Sequence, residues 1–320
     1  MQYGVEVDDL KKNFLITRWR GFRRSVSEVT AVGGVHLRIP QGESVAFIGP
    51  NGAGKSTTIK ILTGILHPTS GHASVLGFTP WRERRKLAYH IGAVFGQRSQ
   101  LWYHLPADDT FELLARIYNI KRPEFLRTRD ELIDRFALGP FLQTPVRKLS
   151  LGERMRAEVA ASLLHRPRVL FLDEPTIGLD VIARQQLRDL IREWNRRDGV
   201  TVFLTSHDAG DIEHVAERVI VINHGRVVVD DHVANVRRRY LASKVLHVQF
   251  QEAPGSIELC GAKVLQSYGY ELKLEIDTTV ASIPAVIGRL LQAAPVADIS
   301  IQDPPLEEVI ARIYQSGGAP

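Results

Sequence analysis

At 320 residues the chain exceeds what one hydrophobic core usually serves, so two domains are expected, and its 44% hydrophobic and 24% charged residues exclude a disordered or fibrous protein. No apolar run approaches bilayer-spanning length, and with Asp8 and Asp9 early and no hydrophobic stretch after Met1, no removable leader and a cytosolic address are expected. A formal charge of +5 is too modest to call for a specific nucleic-acid partner, and a single cysteine, Cys260, reads as a buried apolar side chain.

Residues 1–48 carry strand-like pieces that suggest an antiparallel flap. They are interrupted by Arg18, Arg20, Arg23 and Arg24, interleaved with Trp19 and Phe22. This basic stretch is expected to be a solvated hairpin loop, with anionic lipid headgroups or nucleic acid as the alternative partners. Gln41 and Gly42 turn the chain into an apolar strand at Val45–Ile48.

The next nine residues dominate the reading. Gly49, Pro50, Asn51, Gly52, Ala53, Gly54, Lys55, Ser56 and Thr57 follow the pattern GxxxxGKS between a strand and a helix carrying Ile59, Leu62 and Leu66. Glycines allow backbone N–H groups to converge, and the helix that follows presents its positive dipole end to the same point. An anion fits there. Lys55 suits the β and γ phosphates of a nucleoside triphosphate, and the Ser56 hydroxyl suits the Mg²⁺ that bridges them.

A further apolar strand, residues 91–95, precedes a helical insertion over about 98–165. Inside it LSLGERMR places Ser150 as an N-cap with Glu153 three residues on, which makes Ser150 and Gly152 a second helix N-terminus suited to an anion. VLFLDEP then reads as a buried parallel strand ending in Asp173 and Glu174. Asp173 suits the Mg²⁺ shell, and Glu174 suits the attacking water as general base or positioning group. TVFLTSH supplies another buried strand whose end carries His207, placed to hydrogen-bond a γ phosphate. RVIVINHGRVVV reads as a hairpin, and from about residue 241 alternating and helical patterns make a small α+β domain without a catalytic constellation.

The glycine loop, Gln97, LSLGE, LFLDEP, GLD and TSH occur in this order, and with them the chain resembles the nucleotide-binding subunit of an ATP-binding cassette (ABC) transporter, most like the bacterial exporter branch that pairs with a separate permease. The resemblance implies an α/β fold: a P-loop NTPase (RecA-like) core with an antiparallel β subdomain and a helical insertion in residues 1–240, and an accessory domain in 241–320. It implies ATP and Mg²⁺ as cofactors, Phe14 stacking on adenine with Phe22 as a rival, and Gln97 linking metal or water to the permease. Two cassettes would close head to tail, so that Ser150 and Gly152 complete the partner's site and Asp180 lies across the interface. The signature reads LSLGE where LSGGQ is commoner.

The expected partners are a second copy and an integral membrane permease contacting the region Ser99 to Pro106, where Leu101, Trp102 and Tyr103 are expected to be exposed, with the subunit peripheral on the inner face of the cell membrane. Competing readings are a soluble ABC ATPase acting on ribosomes or nucleic acid, and a cytosolic iron–sulfur assembly factor.

Overall fold

The computed structural model describes residues 2–20, 23–96, 99–240, 243–252, 261–303, 309–311 and 313–314. Two compact units result, Met1–Val233 and Ala234–Pro320. Gln97, Phe22 and Cys260 lie outside the described residues, as does part of the tail after Pro305.

The first unit opens on two long antiparallel strands, β1 (Tyr3–Arg20) and β2 (Arg23–Pro40), followed by β3 (Ser44–Ile48), α1 (Lys55–Leu62), β4 (Ser70–Val75), α2 (Arg84–Ala88) and β5 (Ile91–Phe95). Helices α3 (Ala107–Ile117), α4 (Arg122–Arg135) and α5 (Leu151–Leu163) form the insertion. The α/β alternation then resumes with β6 (Val169–Asp173), α6 (Val181–Asp198), β7 (Thr201–Thr205), α7 (Ala209–Val215), β8 (Arg218–Asn223) and β9 (Arg226–His232). The basic stretch is the end of a hairpin, as expected, but its arginines are strand residues rather than a loop: β1 and β2 pair continuously from Asn13↔Thr30 out to Arg20↔Arg23.

The main sheet runs β5-β6-β7-β3-β8-β9, parallel except for β9, while β2-β1-β4 makes a separate antiparallel sheet. β6 and β7 are apolar on both faces because both are covered. Leu170, Leu172, Val202 and Leu204 join the core of the helical insertion; Val169, Phe171 and Phe203 join the core shared with α1 and the antiparallel sheet. Phe203 centres the second core, its ring 5.2 Å from Phe47 and 5.6 Å from Phe171. Truncating such a buried ring costs about 3–5 kcal/mol. This sandwich fixes the carboxyl ends of β3, β6 and β7 relative to one another, and the site is built there.

The second unit contains α8 (Val233–Tyr240, whose first residue belongs to the other unit), β10 (Ser243–Phe250), β11 (Ala262–Tyr268), β12 (Glu271–Asp277), α9 (Ile283–Ala293) and β13 (Val296–Gln302). Its antiparallel sheet, order β11-β12-β10-β13, buries Leu246, Val248, Leu274 and Ile276 with Val286 and Leu290 of α9.

Candidate functional site

Backbone crowding dictates the glycines of the loop between β3 and α1. A Cβ on Gly49 would stand 2.3 Å from the Ile222 carbonyl oxygen, and one on Gly54 would stand 2.3 Å from that of Ala31. Gly54 also has φ 107°, a left-handed conformation that side chains resist. It is the N-cap of α1, and no side chain caps that helix or places an acid in its first turn, so its first N–H groups are presented to the loop.

Lys55 is 6% exposed and donates from Nζ to the Gly49 carbonyl oxygen at 2.6 Å. Burial pushes its pKa below the ordinary lysine value, against the opposing pull of Glu174 and Asp173. Ser56 Oγ donates to Asp173 Oδ1 at 3.1 Å, and Thr205 Oγ1 donates to the same oxygen at 2.7 Å. The cluster therefore offers hard oxygen donors, a carboxylate and a hydroxyl, next to a cation. That donor set suits Mg²⁺, which takes few protein ligands and fills its remaining positions with water and phosphate. Among the described residues no group of three or more His, Cys, Asp or Glu side chains forms a dedicated metal cage.

Glu174 follows Asp173 with φ 53°, an uncommon conformation for a residue with a Cβ, held by its N–H donating to the Thr205 carbonyl oxygen at 3.1 Å. Its carboxylate lies between two bases: Oε1 is 4.0 Å from Lys55 Nζ and Oε2 is 3.7 Å from His207 Nδ1. His207 is 61% exposed on its side chain and so open to a ligand.

Ser150 caps α5 as its spacing predicts. Its Oγ accepts from Glu153 N at 3.3 Å, while Glu153 Oε2 accepts from Ser150 N and Oγ, both at 2.8 Å. A carboxylate thus occupies this helix N-terminus. Gly152 is needed because a Cβ there would meet Ala183 Cβ at 2.9 Å, and Asp180 caps α6, accepting from Ala183 N at 2.8 Å. Ser150, Gly152 and Asp180 therefore share one neighbourhood. Lys55, Ser56, Asp173, Glu174 and His207 share another, and among the described residues no hydrogen bond joins the two groups.

Phe14, in β1, is 37% exposed and opposite Val29, with Lys12 Nζ 5.1 Å from its ring centroid. Within the segment after Gln97, Leu101 is 4% exposed and belongs to the insertion's core, which corrects the expectation that it faces outward; Trp102 at 40%, Tyr103 at 56% and Leu105 at 40% do face outward. The backbone of this segment is tied to α5 by Glu158, whose carboxylate accepts from Ser99 Oγ and, at 3.1 Å, from Gln100 N. Burial raises the Glu158 pKa.

Sequence reasoning missed a polar network beneath the site. Asp211 has no solvent exposure and accepts from Thr176 Oγ1 at 2.5 Å, Ser206 Oγ at 2.5 Å and Arg188 Nε at 2.6 Å. Arg188 also reaches Asp208 at 2.8 Å, and Arg184 bridges Asp208, at 2.6 Å, to the Leu179 carbonyl oxygen, at 3.1 Å. The segments bearing Glu174, Asp180 and His207 are thereby knotted together. Only the spacing of Asp208 and Asp211 after His207 hints at this in the sequence.

Residues 32–177 match the family described as ABC transporter. Lantibiotic transport ATP-binding protein SrtF of Streptococcus pyogenes is 34% identical over 213 residues, 66% of this chain and 88% of that protein. Daunorubicin resistance ATP-binding protein DrrA3 of Streptomyces coeruleorubidus is 30% identical over 299 residues, 92% of this chain and 94% of that protein. A dimeric, post-hydrolysis ATP-binding cassette bound to ADP and Pi superposes with a TM-score of 0.61 at 27% identity, covering 72% of this chain and 98% of that one.

Proposed function

The chain belongs to the ABC transporter family as an ATP-binding, ATP-hydrolysing subunit, and from that premise we propose that two copies close head to tail around ATP and drive a separately encoded membrane permease in the direction of export. The observation that carries this reading is that two clusters on the same unit share no hydrogen bond among the described residues: the lysine, hydroxyl and carboxylates by the carboxyl ends of β3, β6 and β7, and the capped helix N-terminus with Asp180.

In this reading the loop from Gly49 to Thr57 wraps the phosphates, Lys55 binds the β and γ groups, and Ser56 and Asp173 hold Mg²⁺, with Gln97 as a further contact. Mg²⁺ bound there would supply neutralisation of phosphate charge. Thr205 fixes the Asp173 carboxylate. Glu174 orients and deprotonates the attacking water, held in register by its strained backbone. His207 donates to the γ phosphate from the end of the neighbouring strand β7, and loss of that phosphate frees the Glu174–His207 edge. Ser150 and Gly152 of the second copy complete the site around the same phosphate, and its Asp180 crosses the interface. Adenine stacks on Phe14. ATP thus joins two faces that otherwise interact weakly, because its phosphates satisfy the loop of one copy and the helix N-terminus of the other together.

Trp102, Tyr103 and Leu105 supply the apolar floor on which a permease element docks, in the region Ser99 to Pro106. Docking there makes the subunit a peripheral partner of the permease on the inner face of the cell membrane. Export is favoured by the names of SrtF and DrrA3. The direct test is Glu174→Gln with Mg-ATP in an analytical ultracentrifuge: this reading gives a nucleotide-dependent dimer that ADP does not support, and a monomer under both nucleotides contradicts it.

A further inference from the structure

The β1–β2 ribbon outruns its sheet. β4 pairs with β1 only from Val5↔Val75 to Lys11↔Ser70, whereas β1 and β2 remain paired to Arg20↔Arg23. Beyond Lys11 two strands therefore stand without a third, an arrangement that is marginal in water unless something covers it.

Both faces of this extension are apolar. Residues opposite one another in an antiparallel pair share a face, and the face alternates along each strand. Phe14 opposite Val29, with Ile16 two residues on, marks one face; Leu15, with Val26 opposite Thr17, marks the other. Leu15 is 73% exposed and Val26 52%. A ribbon meant to lie on its own core or in a partner's groove needs one apolar face, whereas a ribbon apolar on both is suited to a medium that surrounds it. The charge is all of one sign. From Leu10 to Ser27 the chain contains no Asp or Glu, while Arg18, Arg20, Arg23 and Arg24 occupy the last paired positions, with Trp19 in register with Arg24.

We propose that the distal β1–β2 ribbon is an anchor that enters the interface of an anionic lipid bilayer, its aliphatic residues at headgroup depth and its arginine-rich end among lipid phosphates. Nucleic acid would use the arginines but leave Leu15, Ile16 and Val26 in water, and is disfavoured for that reason. The assignment deepens the peripheral-membrane reading of the subunit and rests on it. Phe14, at the root of the ribbon, remains available for adenine.

The experiment uses the full chain and sedimentation with vesicles of phosphatidylglycerol or of phosphatidylcholine, without permease. Wild-type protein is expected to sediment with the anionic vesicles, more weakly as salt is raised, and not with the neutral ones. Each arginine near an anionic surface adds about a fivefold gain in partitioning, so Arg20→Ser with Arg23→Ser should lower it about 25-fold. Leu15→Ser with Val26→Ser, both at exposed positions, should lower it about tenfold while ATP turnover of the soluble protein stays unchanged. Failure to sediment, equal sedimentation with neutral vesicles, binding unaffected by the Leu15 and Val26 changes, or preferential retention on RNA would each overturn the proposal. Permease-stimulated turnover is read separately, so an error in the docking assignment at Trp102 leaves vesicle binding intact, and an error in the ribbon assignment leaves coupling intact.

Discussion

Lys55 Nζ stands 4.0 Å from Glu174 Oε1, across the gap between the phosphate loop and the end of β6. One group is a buried cation and the other is a carboxylate on a strained backbone, so their removal should fail differently. Lys55→Met removes a charge-assisted contact to phosphate and should weaken ATP binding about tenfold to a hundredfold. Glu174→Gln should leave binding within about twofold and slow turnover by about 10²–10⁴, the contribution typical of a positioned general base. Equilibrium nucleotide binding and single-turnover hydrolysis separate the two, and near-normal turnover in Glu174→Gln would move the base elsewhere.

Glu153 places a carboxylate at the N-terminus of α5, where the partner's γ phosphate is proposed to bind. Glu153→Gln keeps an acceptor for the Ser150 N–H and removes the charge. In a Glu174→Gln background it should tighten ATP-driven dimerisation about three- to tenfold, most clearly at low salt. Sedimentation against ATP concentration measures it; weaker dimerisation would mean that the carboxylate contributes more than its repulsion costs.

The network below the site should transmit as well as support. Arg188→Ala strands the buried Asp211 charge and should cost about 3–5 kcal/mol of stability. Arg184 is partly exposed, and Arg184→Ala should cost no more than about 1 kcal/mol. If its bridge from Asp208 to Leu179 holds the Asp180 turn in place, turnover nevertheless falls several-fold at unchanged ATP affinity. Thermal melts beside steady-state kinetics test this; a variant with unaltered turnover assigns Arg184 to the scaffold alone.

Trp102 and Leu101 are neighbours with opposite fates, one outward and one in the core. Trp102→Ala should abolish stimulation of ATP turnover by the permease with basal turnover retained. Leu101→Ala should instead lower stability by about 2–5 kcal/mol. Stimulation that survives Trp102→Ala rules this docking surface out.

The phosphate loop, the DE strand end and the Ser150–Glu153 capping box were legible in the sequence because each is a local pattern whose chemistry depends on neighbours along the chain. Asp211 and Arg188 were not, since their meaning comes from a contact across 23 positions that no period marks. Leu101 was misread as exposed because a short apolar run before a helix carries no face information. The arginines of the basic stretch were read as loop because their charge suggests solvent, while the strand pairing that keeps them extended depends on register with the strand that follows and leaves no alternation of polar and apolar residues in the sequence.

ATP turnover per milligram as a function of protein concentration tests the divided site most directly. If one copy holds the triphosphate and the other completes the site, specific activity rises with concentration as dimers form, and a mixture of Lys55→Met and Ser150→Arg chains, each defective in a different half, recovers activity that neither has alone. Specific activity that stays flat in a strictly monomeric preparation would contradict the account.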